Sequence, residues 1–216
     1  NDDKLRGNMS ESPPRRIENS IMRLALTSTE QTLGKSGYYA VLQVAGLNAY
    51  GETPPPDDHR LETPGDQFAA LFNGMLTMYG EGPARGLFRR WGNVFGMTAL
   101  KRRPSAALLK PLLRVLPMQR RIRTILDAVA DEANQTRGAP LHTLHDDADH
   151  YHLAFQDCLY CHGLHPAEPI CYSIVGTLEA VLKWGTGRDF AVREEQCHAR
   201  GAEACVFEIG KQPLHV

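Results

Sequence analysis

The sequence predicts an α+β domain, with a helical N-terminal half packed on a C-terminal antiparallel sheet that carries a helix of its own. Three observations lead there. Apolar residues recur at helical spacing as far as Val129. At Pro140 the period changes from helical to two. Beyond it, one helical run precedes two short apolar segments joined by Arg200-Gly201-Ala202-Glu203, the pattern of a helix followed by a hairpin.

Each element has its own signal. Residues 1–16 read as a disordered arm, with Pro13 and Pro14 ahead of the first apolar pattern, and 17–216 read as a single domain. Ile17, Ile21 and Leu24 start a helix that Gly34 can stop. Tyr38 to Leu47 form a second, shorter apolar segment. GETPPPDDHRLETPGD is a loop by composition. Phe68, Leu71, Phe72, Met75, Leu76 and Tyr79 share one helical face, and Gly80 is placed to end it. After an EGP turn, Leu87, Trp91, Val94 and Phe95 predict another helix ending before Pro104. The stretch SAALLKPLLRVLP contains two prolines and receives no assignment. Ile122, Ile125, Leu126 and Val129 mark the next helix. Tyr151, Leu153 and Phe155 alternate with polar neighbours as a half-buried strand. A helix follows from about Pro169 to Trp184, then strands near Phe190–His198 and Cys205–Ile209.

Composition narrows the class. Hydrophobic residues make up 42% and charged residues 23%, the balance of a globular domain able to bury a core without staples. The five cysteines are an odd number confined to 158–205, which argues for thiol and metal chemistry in a reducing, cytoplasmic setting rather than a disulfide scaffold. The N-terminus lacks the apolar run of a signal peptide, and no segment is long and apolar enough to span a bilayer. From Arg85 to Arg123 there are eleven Lys or Arg and no acid. Such a block either contacts anions, an acidic partner or a membrane surface, or is solvated and compensated by acids elsewhere. Its leucines, Leu108, Leu109, Leu112, Leu113 and Leu116, suit a pocket cap or a dimer face. No helix-turn-helix or zinc-finger spacing accompanies the charge, so sequence-specific nucleic-acid binding is not expected.

Cys171, Glu194, Cys197 and Cys205 carry the most chemistry. Three thiolates and a carboxylate make a closed tetrahedral donor set for a structural Zn²⁺. Cys197 and Cys205 flank the hairpin turn, and Cys171 lies near the start of the preceding helix. Glu194 and Cys197 are three apart, so a regular strand would turn them to opposite faces, and the set requires a bulge between them. On residue types alone the thiols are either ligands or small buried side chains. Cys158 and Cys161, in CLYCH, sit outside that four-ligand set. They match the haem-attachment pattern CxxCH, and also read as a redox pair or an accessory metal site.

The spacing Cys171, Glu194, Cys197, Cys205 resembles the 4-vinyl-reductase domain family. So do PICYSIVGTLEAVLKWGTGRDFAVREEQCHARGAEACVFEI and the upstream MYGEGPARGLFRRWGNVFG, a resemblance over roughly 66–210. The resemblance implies zinc at those four residues. It implies a fold related to vesicle-tethering subunits and haem nitric-oxide sensors, binding of small hydrophobic molecules, and a homodimer. One branch of the family is named for vinyl reduction in bacteriochlorophyll synthesis, and phenol-sensing members serve bacterial regulators. Candidate ligand-binding residues are Phe72, Phe88, Trp91, Phe95, His152 and Tyr172, with Phe68 and His150 beside them. A reductase needs a nicotinamide or flavin, and no GxGxxG follows a predicted strand. No nucleophile motif is present, so no catalytic residue is assigned. The expected function is a zinc-stabilised binding domain for a small hydrophobic or aromatic molecule, sensory or carrier in role. Alternatives are an accessory protein or reductase of tetrapyrrole or bacteriochlorophyll biosynthesis, and a protein or membrane-surface interaction module.

Overall fold

Gly80 shows how the helical half is cut into pieces. Its φ of 72° is outside the range other residues adopt readily, and it ends one helix while capping the next. The computed structural model describes residues 15–214. In chain order its elements are β1 (Arg16–Ile17), α1 (Asn19–Val44), β2 (Thr63–Pro64), α2 (Gly65–Tyr79), α3 (Glu81–Lys101), α4 (Pro104–Arg114), α5 (Met118–Arg137), β3 (His142–Asp146), β4 (His150–Gln156), α6 (Tyr172–Thr186), β5 (Phe190–Gln196) and β6 (Ala204–Pro213). The architecture is α+β, as expected.

Several boundaries differ from the sequence reading. Residues 1–14 of the expected arm lie outside the described residues. At the edge of that arm, Arg16 and Ile17 form β1, which pairs with β2, and Arg15 binds Asp157 at 2.7 Å. Helix α1 runs through Gly34 with a break there (φ 72°, ψ 171°), so the two predicted segments join across a kink. The EGP turn is the first turn of α3. The unassigned SAALLKPLLRVLP segment forms most of α4, with Pro104 in its first turn and Pro111 inside it. The strand β3 has no apolar alternation to announce it.

The four long strands form an antiparallel sheet in the order β3-β4-β6-β5. Tyr151, Leu153 and Phe155 of β4 face inward beside Cys205, Phe207 and Ile209 of β6, all buried. Helices α5 and α6 cover this face. Helix α6 packs in turn on α3, and α1 and α2 lie beyond α3. One continuous core therefore joins the sheet to the helical half.

His142, at the start of β3, is 9% exposed and packs edge-on against Phe155 at 4.4 Å. Its Nδ1 and its backbone N–H both donate to Asn134 Oδ1, at 2.9 and 2.8 Å. Burial, with help from the Arg137 charge, pushes its pKa down from 6.5 to about 4. The folded protein therefore favours the neutral ring, while the unfolded chain takes up a proton as pH falls through 6.5. Stability from this site is complete above 6.5 and declines as pH falls toward 4, by up to about 3 kcal/mol. Equilibrium unfolding of wild type and His142→Phe at pH 7 and pH 4.5 checks this. The variant should lose less stability on acidification; equal losses would refute it.

Candidate metal centre and aromatic cluster

Four chain segments converge on the sulfur-rich site. At the end of β4, Asp157 takes φ 50°, a left-handed conformation that Asp tolerates better than most residues. Ion pairs to Arg15 (2.7 Å) and Arg137 (2.6 Å) hold it there. This turn swings the chain inward, so that Cys158 and Cys161 both point into the core. Cys171 is the residue before the first turn of α6, at the positive end of that helix. Cys205 lies on β6 opposite Phe155. Glu194 lies on β5.

The β5–β6 register slips between Glu194 and Gln196: Glu194 pairs with Phe207, and Gln196 with the adjacent Val206. This bulge is the irregularity that the three-residue spacing requires. It lets Glu194 and Cys197 reach one side of the strand.

Ligand-type atoms of Cys171, Glu194, Cys197 and Cys205 all lie within 4.8 Å of one another, and so do those of Cys158, Cys161, Cys171 and Cys205. Sequence spacing sets Cys158 and Cys161 apart, but the fold brings them against the other thiols. Sγ–Sγ distances are 3.8 Å for Cys158–Cys171, 3.7 Å for Cys171–Cys205 and 3.5 Å for Cys161–Cys205. All five cysteines are free and buried. Glu194 Oε2 accepts a hydrogen bond from Cys171 N at 2.7 Å, whereas Oε1 is buried without a partner. Burial first, and then the neighbouring Cys197, pushes the Glu194 carboxyl up to about 8. His198 N–H donates to Cys205 Sγ at 3.2 Å. An unpartnered buried carboxylate oxygen beside converging thiols is a donor set that fits a thiophilic divalent cation.

The same cysteines do not fit covalent haem. Cys158 and Cys161 face other sulfurs, and His162 is turned toward Arg15, whose Nη1 lies 2.8 Å from its ring nitrogens.

Tyr160, between the two cysteines, is an aromatic residue that no helical periodicity singles out. Its ring lies 5.1 Å from Phe68, 5.1 Å from Phe72 and 6.4 Å from Trp91. Phe72 packs edge-on against Phe88 and Trp91, and Trp91 stacks on Phe95 at 4.9 Å. Four of the six predicted ligand-binding residues thus gather in one cluster. The other two do not. His152 sits on the outer face of the sheet, bound to Asp147 at 2.8 Å, because inward Tyr151 and Leu153 force it outward. His150 shares that face, 3.5 Å from Glu208. Tyr172 lies beside Arg85, 6.0 Å from its guanidinium. Other polar groups that the sequence does not single out are buried in the helical layers. Trp91 Nε1 donates to buried Thr29 at 2.9 Å. Asn73 Oδ1, next to Phe72 in sequence, and Ser173 Oγ, two residues after Cys171, are buried without partners.

In the basic stretch, five of the eleven basic residues between Arg85 and Arg123 are compensated by acids. Arg85 pairs with Glu168, Arg89 with Glu179, Arg102 with Asp57, Arg103 with Glu132, and Arg123 with Asp127 and Asp146. Its leucines do not form a cap. Leu113 is buried, but Leu108, Leu109 and Leu112 are exposed, together with Val115. No described helix is long and apolar enough to cross a membrane.

Residues 151–211 match the 4-vinyl-reductase domain, the family that the cysteine spacing resembles. The upstream part of the resemblance lies outside that match. A 61-residue stretch is 38% identical to the uncharacterized protein MJ0745 of Methanocaldococcus jannaschii, covering 26% of this chain and 32% of that protein. The match thus spans about a third of that relative's length. Among solved structures, the chain shares its fold with an H-NOX protein from S. oneidensis in the Fe(II)NO state. The identity is 12% and the TM-score 0.57, over 92% of this chain and all of the other. A second H-NOX structure, from work on haem distortion, gives 13%, 0.58 and 93% against 98%. The phenol-bound sensory domain of the transcription activator PoxR gives 16% and a TM-score of 0.48, over 66% of this chain and 72% of that domain.

Proposed function

We propose that this chain is a binding domain for a small hydrophobic or aromatic molecule, stabilised by Zn²⁺ at Cys171, Glu194, Cys197 and Cys205, and sensory or carrier in role. The observation that carries this reading is Tyr160. Flanked by Cys158 and Cys161, it packs its ring against Phe68, Phe72 and Trp91. The loop that reaches the metal centre is therefore also a wall of the aromatic cluster. A molecule wedged among these rings presses on the same loop, which gives binding a route to the rest of the domain. The family match over 151–211 and the unpartnered Glu194 Oε1 support the same reading. We assign to Asn73 Oδ1 and Ser173 Oγ, both buried without partners, the few polar contacts an apolar site needs to orient a hydroxylated ligand. A homodimer belongs to this reading, with the exposed apolar side of α4 as the surface available to it.

Phenol, indole and decanoic acid, titrated into zinc-loaded protein carrying Trp184→Phe, test it. The remaining tryptophan, Trp91, reports on the cluster directly. At least one probe should change its emission saturably. For a hydroxylated probe, Asn73→Leu should weaken binding about tenfold, the cost of roughly one lost hydrogen bond. No saturable change with any probe, in protein that holds its metal, would overturn the ligand-binding reading.

A further inference from the structure

The Zn²⁺ reading above uses four donors and leaves Cys158 and Cys161 unexplained, although they touch the same cluster. Their thiols are buried and lie against Cys171 and Cys205, the two residues common to both four-donor groups. A tetrahedron with metal–sulfur bonds of about 2.3 Å has sulfur–sulfur edges of about 3.8 Å. The three sulfur contacts, at 3.5, 3.7 and 3.8 Å, are close to that edge length. Two tetrahedra that share one edge need six donors, two of them bridging. The site offers six: five thiolates and the Glu194 carboxylate. The Cys171–Cys205 pair, at 3.7 Å, is the shared edge.

We propose that the site is binuclear. One thiophilic divalent ion is held by Cys171, Glu194, Cys197 and Cys205, and a second by Cys158, Cys161, Cys171 and Cys205, with Cys171 and Cys205 bridging. Charge supports the arrangement. Five thiolates and one carboxylate carry six negative charges, and a single divalent ion leaves four of them uncompensated if all six donors ionise. Two ions leave two. The N-terminus of α6 at Cys171 and the His198 N–H at Cys205 meet that remainder at the two bridging sulfurs. The second ion also accounts for the guanidinium-anchored turn at Asp157, which turns both CxxC thiols toward the bridge. This inference rests on the proposed metal centre but extends it by one ion and two ligands.

Metal content of protein prepared without chelator tests it, for wild type, Cys158→Ser/Cys161→Ser and Glu194→Gln/Cys197→Ser. Two zinc ions per wild-type chain and one in each double variant are expected. Titration of apo wild type with Co²⁺ adds a readout of bridging. The high-spin signal in electron paramagnetic resonance should grow with the first equivalent and fall with the second, as the shared thiolates couple the two ions. One zinc in wild type, unchanged in Cys158→Ser/Cys161→Ser, would overturn the second ion and leave the first reading intact. One zinc lost in that variant but kept in Glu194→Gln/Cys197→Ser would place a single ion on the four cysteines and overturn both. No zinc in wild type, and no Co²⁺ uptake, would also overturn both. Two zinc ions with additive Co²⁺ signals would refute the bridge.

Discussion

Cys171→Ser should strip the protein of metal and unfold its C-terminal half, whereas the same change in an ordinary buried thiol would be mild. The two cases are separated by magnitude. A serine hydroxyl buried without a partner costs about 1–3 kcal/mol. A structural zinc contributes on the order of 10 kcal/mol through coupled binding and folding, comparable to the whole stability of a domain. Cys171 lies in both four-donor groups, so no ion retains a complete set without it. The loss should concentrate where the ligands are: the loop after β4, the start of α6, and the β5–β6 pair. Hydrogen exchange should show β5 and β6 unprotected in the variant, with the α1–α3 layer slower to exchange. A chelator added to wild type should reproduce the pattern. Thermal denaturation only a few degrees below wild type, with metal retained, would show that Cys171 is packing and not a ligand.

The cluster of thiols around Glu194 is legible in the sequence to an uneven degree. Cys171, Glu194, Cys197 and Cys205 are readable because most of the set is local: two thiols flank one hairpin turn, and the Glu194–Cys197 spacing demands the bulge that β5 shows. Cys158 and Cys161 are readable as a pair but not as neighbours of the others. Their approach depends on the turn at Asp157, which two distant arginines hold, and no local pattern encodes that. The aromatic cluster follows from helical periodicity. Placing His152 within it fails against the sequence's own alternation, since Tyr151 and Leu153 already claim the inner face of β4. Helix α4 is hidden by Pro111 and Pro117, and β3 by a sequence, HTLHD, with a single apolar residue.

The contact that sets the distance between the helical half and the thiol cluster is made by one glycine on each helix against backbone of the other, and it gives the second large effect. Gly92 of α3 faces the first turns of α6 so closely that a Cβ there would overlap the Ser173 carbonyl oxygen and lie 2.7 Å from its carbon and 2.9 Å from Thr177 N. Gly176 of α6 meets the Arg89 carbonyl in the same way. These obstacles are backbone, which cannot rotate aside as a side chain can. Thr177 Oγ1 also donates to Gly92 O at 3.0 Å, tying the helices at this point. Gly92→Ala is therefore expected to cost at least about 3 kcal/mol, the upper range of overpacking in a tight core. That corresponds to a fall in Tm of roughly 6–12 °C for a chain of this size. Gly86, on the same helix, has nothing within 4 Å of its would-be Cβ, so Gly86→Ala should stabilise by about 0.5–1 kcal/mol through helix propensity. Opposite signs from one substitution type on one helix separate the interface from propensity. The effect should reach the metal as well, because Cys171 lies two residues before Ser173. Prying α3 from α6 displaces Cys171, a ligand in the proposed centre, so Gly92→Ala should release zinc to a chelator faster than wild type, while Gly86→Ala should not. Equal melting temperatures for Gly92→Ala and wild type would show that the helices do not approach this closely, and the path from the aromatic cluster to the metal centre would have to run through Tyr160 alone.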